Sequence, residues 1–126
     1  VLGTITSTND IQQILSSLIE EIDVLLMVTD NTVDSSIALV GDMAKAAGIP
    51  TVGSSDSVVK ANGLMTISNS YIDYGVQPAE IAISYLEEDL NVAEMPVEIG
   101  KDFVMIVNEE FAEAIGIDPA TLVELD

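Results

Sequence analysis

Short apolar runs of strand length alternate with amphipathic helical stripes along the chain, and this alternation restricts the fold more than any other feature. The runs lie at 1–5, 24–28, 50–53, 64–67 and 103–107. After the first run, apolar residues recur at helical spacing at Ile11, Ile14, Leu15, Leu18, Ile19 and Ile22. The uninterrupted run 24–28 is typical of a parallel strand that is buried on both faces. The order of elements predicts an α/β fold in which helices flank both faces of a mainly parallel sheet.

Helix-breaking residues predict where the later helices begin and end. A second helix ends at Gly48 and carries the apolar stripe Ile37, Val40, Ala44 and Ala47. Pro78 would remove a hydrogen bond from the interior of a helix. We therefore expect the helical pattern over 71–90 to begin its regular part near Val76, with Pro78 in the first turn. A short helix over 109–115 follows the last strand.

The charge balance limits the partners that such a chain can have. Its 126 residues include 22 acids against 3 lysines, for a formal net charge of −19. This excludes nucleic acid as a partner, because few cations are present to neutralise phosphates, and it disfavours anionic membrane surfaces. Because 48% of the residues are hydrophobic, we interpret the acids as a solvated surface over an aliphatic core.

Missing residue types and run lengths exclude further classes. The sequence has no Cys and no His, so disulfides, a thiolate nucleophile, a His-ligated zinc site and a Ser-His-Asp triad are unavailable. No apolar run approaches the roughly 18 residues of a membrane span, and no signal peptide is recognisable. Direct insertion into a membrane is therefore not expected.

Polar clusters follow three of the predicted strands. They are Thr-Ser-Thr-Asn-Asp at 6–10, Thr-Asp-Asn-Thr at 29–32 and Gly-Ser-Ser-Asp at 53–56. The carboxyl ends of parallel strands share one edge of a sheet, where open α/β folds bind ligands. Asp30 and Asp56 would suit an ammonium group and the neutral polar groups a carboxylate, so a small zwitterion such as an amino acid is favoured. Alternatively, each cluster is only an ordinary helix cap, and spacing alone does not decide between the two.

Other chemistries receive weaker support from the sequence. A magnesium or calcium site would need several carboxylates, and the candidates are Asp10, Asp30, Asp34 and Asp56. These residues lack EF-hand spacing, and the sequence has no glycine-rich phosphate loop. A receiver-like phosphoacceptor shares the predicted topology, but no Asp-Asp pair precedes the central strands. No carboxylate pair is marked out for acid–base catalysis. Tyr71 and Tyr74, at i and i+3, are typical of a packing pair.

Several segments together carry a recognisable pattern. The sharpest is Thr29-Asp30-Asn31-Thr32-Val33, preceded by Asp23–Val28 and by Thr6–Gln13. The pattern continues through 47–54, 59–63, 74–75, 95–98, 101–103, 107–108 and 114–117. In this order the chain closely resembles, over nearly its whole length, a family of ABC-transporter substrate-binding proteins that includes tryptophan and tyrosine binders.

The resemblance implies the fold of a type I periplasmic binding protein, in which two α/β lobes joined by crossing strands close on a ligand. Residues 1–126 would form a single lobe, the C-terminal one, and the first lobe would lie outside this segment. Within it, 1–68 would be the ligand-binding core, and 69–126 would supply the hinge-crossing helix and the C-terminal strand and helix segments.

The resemblance also implies which residues line the ligand cleft. By motif match they are Ser7, Thr8, Asn9, Asp30, Asn31, Thr32, Ser54, Ser55, Asp56 and Ser70. Asp30 would bind the ammonium group of the ligand, and Asn31 and Thr32 its carboxylate. Members of the family commonly have Gly-Ile-Asp-Tyr where this chain has Ser68-Asn69-Ser70-Tyr71. Ser70 therefore replaces an acid that would contact the amino group.

The function implied by the resemblance is capture of a small ligand, an amino acid and by expectation an aromatic one, for an ABC permease outside the cytoplasm. No enzymatic activity, cofactor or metal is implied. The rival hypothesis is an isolated or designed α/β folding or interaction domain that binds no ligand. The apolar stripe over 76–90 would pack on the absent lobe, and leaving it uncovered would favour self-association.

Overall fold

The computed structural model describes residues 1–88 and 90–123, which form two compact units. Unit 1 comprises Val1–Ser68 with the chain from Met105 onward, and unit 2 comprises Asn69–Val104. The helices are α1 (Thr8–Leu18), α2 (Asn31–Asp34), α3 (Ile37–Ala47), α4 (Asp56–Lys60), α5 (Asp73–Glu87) and α6 (Glu109–Ala114). The strands are β1 (Leu25–Met27), β2 (Thr51–Gly53), β3 (Met65–Asn69) and β4 (Phe103–Val107). Short 3₁₀ helices lie at Val92–Glu94 and Pro119–Leu122.

A four-stranded sheet in the order β1-β2-β3-β4 organises these elements. Strand β2 pairs in parallel with both β1 and β3, and the register places Met27 beside Gly53 and Gly53 beside Thr66. Parallel neighbours need crossover connections, which α2 and α3 supply after β1 and α4 supplies after β2. The predicted fold class, an α/β fold with a mainly parallel sheet, is confirmed.

The apolar core of unit 1 consists of two clusters of buried side chains. One contains Ile11, Leu15, Met27, Ile37, Val40 and Val58. The other contains Ala44, Leu64, Phe111 and Ala112. Helix α3 contributes Ile37 and Val40 to the first cluster and Ala44 to the second, and all three belong to its predicted apolar stripe. The first cluster includes Met27, the last residue of β1.

Strand β1 is buried on one side only, so the prediction of burial on both faces is wrong for 24–28. Met27 is 3% exposed, whereas Leu26 is 66% exposed. Val24 and Val28 are also exposed. The reason is position: β1 is an end strand of the sheet, so residues that an inner strand would bury lack cover.

The predicted first strand is also wrong, because residues 1–5 form no strand in the structure. Strand sequence alone does not make a strand, since a strand exists only when a partner completes its hydrogen-bond ladder. Val1 and Leu2 are almost fully exposed, and Gly3 lies against the α1 side chains Ile14 and Leu18. The segment therefore runs along α1 without joining the sheet.

The predicted second helix and last strand agree with the structure. Helix α3 ends at Gly48, whose φ of 73° is the left-handed conformation that glycine adopts without strain. Strand β4 covers the predicted 103–107, and α6 begins at the predicted Glu109. By contrast, α2 and α4 were not predicted, because four or five residues are too few to show helical periodicity.

Helix α5, in unit 2, begins at Asp73, three residues before the predicted Val76. Pro78 consequently lies inside the helix and not in its first turn. The Ser70 carbonyl accepts hydrogen bonds from the N–H groups of Asp73 and Tyr74, which starts the helix before the proline is reached. The helix therefore begins earlier than the prediction, which placed its start near Val76 to keep Pro78 in the first turn. None of the side chains of α5 is buried.

The remainder of unit 2 is held to α5 by polar contacts. Gln77 Nε2 donates to Glu98 Oε2 and to the Ile99 carbonyl, both at 3.1 Å. Lys101 Nζ lies 2.8 Å from Glu98 Oε2. Hydrogen bonds from Lys101 and Gln77 lower the pKa of Glu98, and the same carboxylate raises the pKa of Lys101. These contacts line an open groove of about 550 Å³ within unit 2, which none of the predicted site residues enters.

Candidate functional site

The loops that follow β1 and β2 meet at the carboxyl edge of the sheet. Thr29 Oγ1 and Ser54 Oγ share a hydrogen bond of 2.6 Å, and the Ser54 N–H donates to the Met27 carbonyl at 3.1 Å. The register that sets Met27 beside Gly53 brings the two loops to the same height. Both hydroxyl side chains belong to exposed residues. Two of the three predicted polar clusters are therefore adjacent.

Asp30 occupies the centre of the first of these loops. Its Oδ1 accepts hydrogen bonds from the N–H groups of Thr32 at 2.8 Å and Val33 at 3.2 Å, as the N-cap of α2. These bonds, the one from Thr32 first, lower the pKa of Asp30. Both backbone hydrogen bonds go to Oδ1, and the Thr32 side chain also contributes to the lowered pKa of this carboxylate. An ionised carboxylate held in place in this way suits an ammonium group.

In the loop after β2, the Ser54 side chain is exposed, whereas Ser55 and Asp56 already have partners within the chain. Ser54 is exposed, whereas Ser55 is 5% exposed and shares a 2.6 Å hydrogen bond with the Ser57 hydroxyl. Asp56 pairs with Lys60 at 2.5 Å, and this hydrogen bond is the main cause that lowers the pKa of Asp56. Lys60 thus already neutralises Asp56, so Asp30 is the better partner for a ligand's positive charge.

Ser7, Thr8 and Asn9 lie where α1 begins. Asp10 Oδ2 accepts from the Thr6 hydroxyl at 2.8 Å and from the N–H groups of Thr6 and Ser7 at 3.2 and 3.0 Å. The Thr6 hydroxyl is the main cause of the lowered pKa of Asp10. In the part of the chain that the structure describes, no hydrogen bond joins this loop to the other two. Capping is the interaction that the structure gives to this cluster.

Ser70 belongs to unit 2. Its Oγ accepts a hydrogen bond from the Ile72 N–H at 3.1 Å, beside Asn69. The Tyr71 and Tyr74 rings meet edge to face at 6.1 Å, which agrees with the predicted packing pair. Both tyrosines are nonetheless exposed, at 62% and 57%.

Two contributors to the β1–β2 edge were missing from the predicted site residues. Thr29 begins the Thr-Asp-Asn-Thr motif but is not among the predicted site residues, because its contact with Ser54 depends on strand register, which local sequence does not reveal. Lys60 follows Asp56 by four residues, and this i,i+4 spacing was a signal for their ion pair.

The carboxylates of these loops do not assemble into a metal centre. No group of three His, Cys, Asp or Glu side chains is arranged to hold a metal ion among the described residues. Likewise, none of the helices described in 1–88 and 90–123 has the length and apolar character needed to cross a membrane. The edge instead carries the ionised carboxylate of Asp30 and the exposed hydroxyls of Thr29 and Ser54, which are groups that can hydrogen-bond a small polar organic molecule.

The structure is an α/β module with polar loops at the carboxyl edge of its sheet, and comparison with known proteins identifies its family. A model of the ABC transporter substrate binding protein family matches residues 1–123. The chain belongs to this family. The prediction made from the Thr29–Val33 motif and its companion segments is therefore confirmed.

Individual relatives agree with this assignment. The chain is 32% identical over 111 residues to a tyrosine-binding protein of Clostridioides difficile (strain R20291), covering 88% of this chain and 32% of that one. It is similar to the ligand-free, open structure of a Clostridium difficile substrate-binding protein with adhesive properties, at 34% identity and a TM-score of 0.75. That match covers 90% of this chain and 38% of the other.

A more distant solved structure shares the fold. It is a Streptococcus pneumonia ABC domain in complex with L-Trp, at 23% identity and a TM-score of 0.73, covering 95% of this chain and 41% of that one. The chain thus spans about a third of the length of the curated relative and about two fifths of the solved structures that it matches.

Proposed function

We propose that this chain supplies one wall of an amino-acid-binding cleft in a substrate-binding protein that serves an ABC importer. The observation that carries the proposal is the ionised carboxylate of Asp30, fixed by the Thr32 and Val33 N–H groups, in the same loop as the Thr29 hydroxyl that meets Ser54. The carboxylate would accept the ligand's ammonium group, and the hydroxyls with the predicted Asn31 and Thr32 would contact its carboxylate. The predicted contacts by Ser7, Thr8, Asn9 and Ser70 stay predictions.

An aromatic amino acid is the ligand that we propose first. The curated relative is a tyrosine-binding protein, and the more distant Streptococcus structure holds L-Trp. The chain spans about a third of that relative, so the opposite wall of the cleft would come from residues outside 1–126. Closure of the two walls would bury the ligand and present the closed form to the permease, outside the cytoplasm and without catalysis.

The wall alone would leave the ligand exposed on one side, so we expect millimolar affinity for the 126-residue chain. Isothermal titration with L-tyrosine, L-tryptophan, L-phenylalanine and L-leucine tests this. Asp30→Asn keeps a capping side chain but removes the charge, and it should weaken binding by at least about tenfold.

Asp118→Asn is the matched control for Asp30→Asn. Asp118 Oδ1 likewise accepts a hydrogen bond from the N–H two residues ahead, at 3.0 Å from Ala120, but it lies outside the predicted loops. This variant should bind as the unchanged chain does. If no amino acid binds at millimolar concentration, or if both variants lose affinity equally, the proposal is wrong and the rival of a folding domain without ligand gains support.

Self-association through the apolar side chains of α5 remains part of the proposal for the isolated chain. Ile83 is 53% and Leu86 is 76% exposed on this helix. Exposed apolar stripes favour association in water. Analytical ultracentrifugation of the unchanged chain and of Leu86→Glu measures this association. The mass of the unchanged chain should rise with concentration more than that of the variant, and equal masses at all concentrations would contradict the proposal.

A further inference from the structure

The turn between α4 and β3 contains the pair Asn62-Gly63, and Asn62 is the only asparagine of the chain that glycine follows. Glycine has no side chain to hinder its backbone nitrogen, so this nitrogen can reach the side-chain carbonyl carbon of a preceding asparagine. Asparagine counts among the thermolabile residues. The sequence thus places one reactive pair in unit 1, and its neighbours in the fold decide whether it can react.

The reaction of such a pair is deamidation through a cyclic succinimide. The Gly63 nitrogen forms a bond to Asn62 Cγ, and the bond from Cγ to Nδ2 breaks. The proton of the Gly63 N–H passes through solvent to the departing NH2 group, which leaves as ammonia. Water then opens the ring at either of its carbonyl carbons, so position 62 becomes an aspartate or an isoaspartate. Water is the only co-reactant.

In the folded chain both reacting groups are already engaged. The Gly63 N–H donates to the Val58 carbonyl at 2.7 Å, and the Asn62 N–H donates to the Val59 carbonyl at 3.2 Å. Asn62 has a φ of 81°, so these two bonds form the left-handed cap that ends α4. Because the Gly63 nitrogen must lose its proton to attack, its hydrogen bond to Val58 has to break first.

The Asn62 side chain is held as well. Its Nδ2 donates to Asp42 Oδ1 at 2.5 Å, which directs the amide toward α3. The backbone here also lies against α3, since a Cβ built on Gly41 would overlap the Asn62 carbonyl oxygen. Ring closure rotates this peptide, so it requires the turn to move away from α3.

The same contacts make either product unfavourable. An aspartate at position 62 would set a carboxylate against Asp42, where an amide now donates a hydrogen bond. An isoaspartate would add a methylene to the backbone where it approaches Gly41. Like charges at such a distance repel, and a packed backbone has no room for an added atom.

We propose that Asn62-Gly63 is a deamidation site that the cap of α4 and the Asp42 carboxylate keep closed in the folded chain, and that its reaction after local opening destabilises unit 1. The modification is irreversible, so each opening of this turn carries a risk that refolding cannot undo. The proposal concerns the turn after α4 and does not depend on the amino-acid site.

The first experiment follows deamidation of the 126-residue chain in mildly alkaline buffer by peptide mapping and mass spectrometry. In guanidinium chloride, Asn62 should react at least about tenfold faster than Asn91, which valine follows. In the folded chain, Asn62 should react at least about tenfold more slowly than in denaturant. Equal rates at the two asparagines in denaturant, or equal rates at Asn62 in both states, would overturn the proposal.

Hydrogen exchange of the Gly63 N–H tests whether opening of the cap is the gate. Exchange and deamidation both require the bond from Gly63 to Val58 to break, and deamidation also requires Asn62 to leave Asp42. Folding should therefore slow deamidation at least as much as it slows exchange of this N–H. Deamidation that is slowed less than exchange would refute the gate.

The cost of the aspartate product is measured with Asn62→Asp in urea unfolding. This variant should lower the folding equilibrium constant at least about threefold. Asp42→Asn/Asn62→Asp exchanges amide and carboxylate, so a donor faces an acceptor again, and it should recover to within about twofold of the unchanged chain. Gln13→Glu adds one negative charge at an exposed residue of α1 and should change stability less than Asn62→Asp. A double variant no more stable than Asn62→Asp, or equal losses in Asn62→Asp and Gln13→Glu, would overturn the proposed destabilisation.

Discussion

Removing the hydroxyl of Thr51 should destabilise unit 1 more than removing that of Thr66, although both side chains are fully buried. Thr51 Oγ1 accepts the Leu64 N–H at 2.7 Å, so Thr51→Val leaves a buried donor without a partner. Thr66 Oγ1 donates to the Gly53 carbonyl at 2.9 Å, so Thr66→Val leaves only an acceptor, which proteins tolerate better. Valine preserves the branched shape in both cases.

The magnitude follows from the cost of an unpaired buried group. We expect Thr51→Val to lower the free energy of unfolding by about 2 kcal/mol and Thr66→Val by about 1 kcal/mol or less. Urea unfolding measures both, and with a typical slope of about 2 kcal/mol per molar the midpoint of Thr51→Val should fall by about 1 M. Thr4→Val, at an exposed residue, is the control and should leave the midpoint unchanged. Equal midpoints for Thr51→Val and the unchanged chain would refute the reasoning.

Further predictions concern packing, backbone approach and pH. Phe111 is fully buried, so Phe111→Ala should cost about 3–5 kcal/mol of unfolding free energy in urea titration, and a loss below 1 kcal/mol would contradict its place in the core. A Cβ at Gly41 would collide with the backbone of Asn62, so Gly41→Ala should cost about 1–3 kcal/mol, and an unchanged midpoint would show that the two segments separate easily. The pKa of Asp10 is lowered in the folded state, so its contribution to stability is present above the unfolded pKa and is lost as the pH falls through the folded value. Acid titration of Asp10→Asn should therefore show a shallower loss of stability below about pH 4 than the unchanged chain, and identical acid limbs would contradict this.

The elements that local sequence determines were predictable. Helix α3 carries its apolar stripe, its terminal Gly48 and the following proline within a single stretch, and β4 is a five-residue apolar run with polar neighbours. Their boundaries depend on helix caps and on hydrophobic periodicity, which are both features of the local sequence. Helix α4 is too short for that, so the sequence does not predict the helix that carries the buried Val58 and Val59.

Features that depend on a distant partner were not predictable in the same way. Residues 1–5 have strand sequence, yet a strand needs a ladder that their own composition cannot supply. Likewise, the placement of Thr29 against Ser54 follows from the β1–β2 register and not from either loop alone. The sequence did predict that Asp30 follows a parallel strand, and the structure adds which of its oxygens is already occupied.

The most direct test of the proposed function is an amide NMR titration of the 126-residue chain with L-tryptophan and with indole-3-propionate, which lacks the ammonium group. L-tryptophan should shift the amide signals of Asp30, Thr32 and Ser54 and leave those of α6 unchanged. Indole-3-propionate should bind at least about tenfold more weakly, because it lacks the ammonium group that would form an ion pair with the carboxylate of Asp30. Equal binding of the two compounds, or shifts confined to residues away from the β1 and β2 loops, would contradict the account.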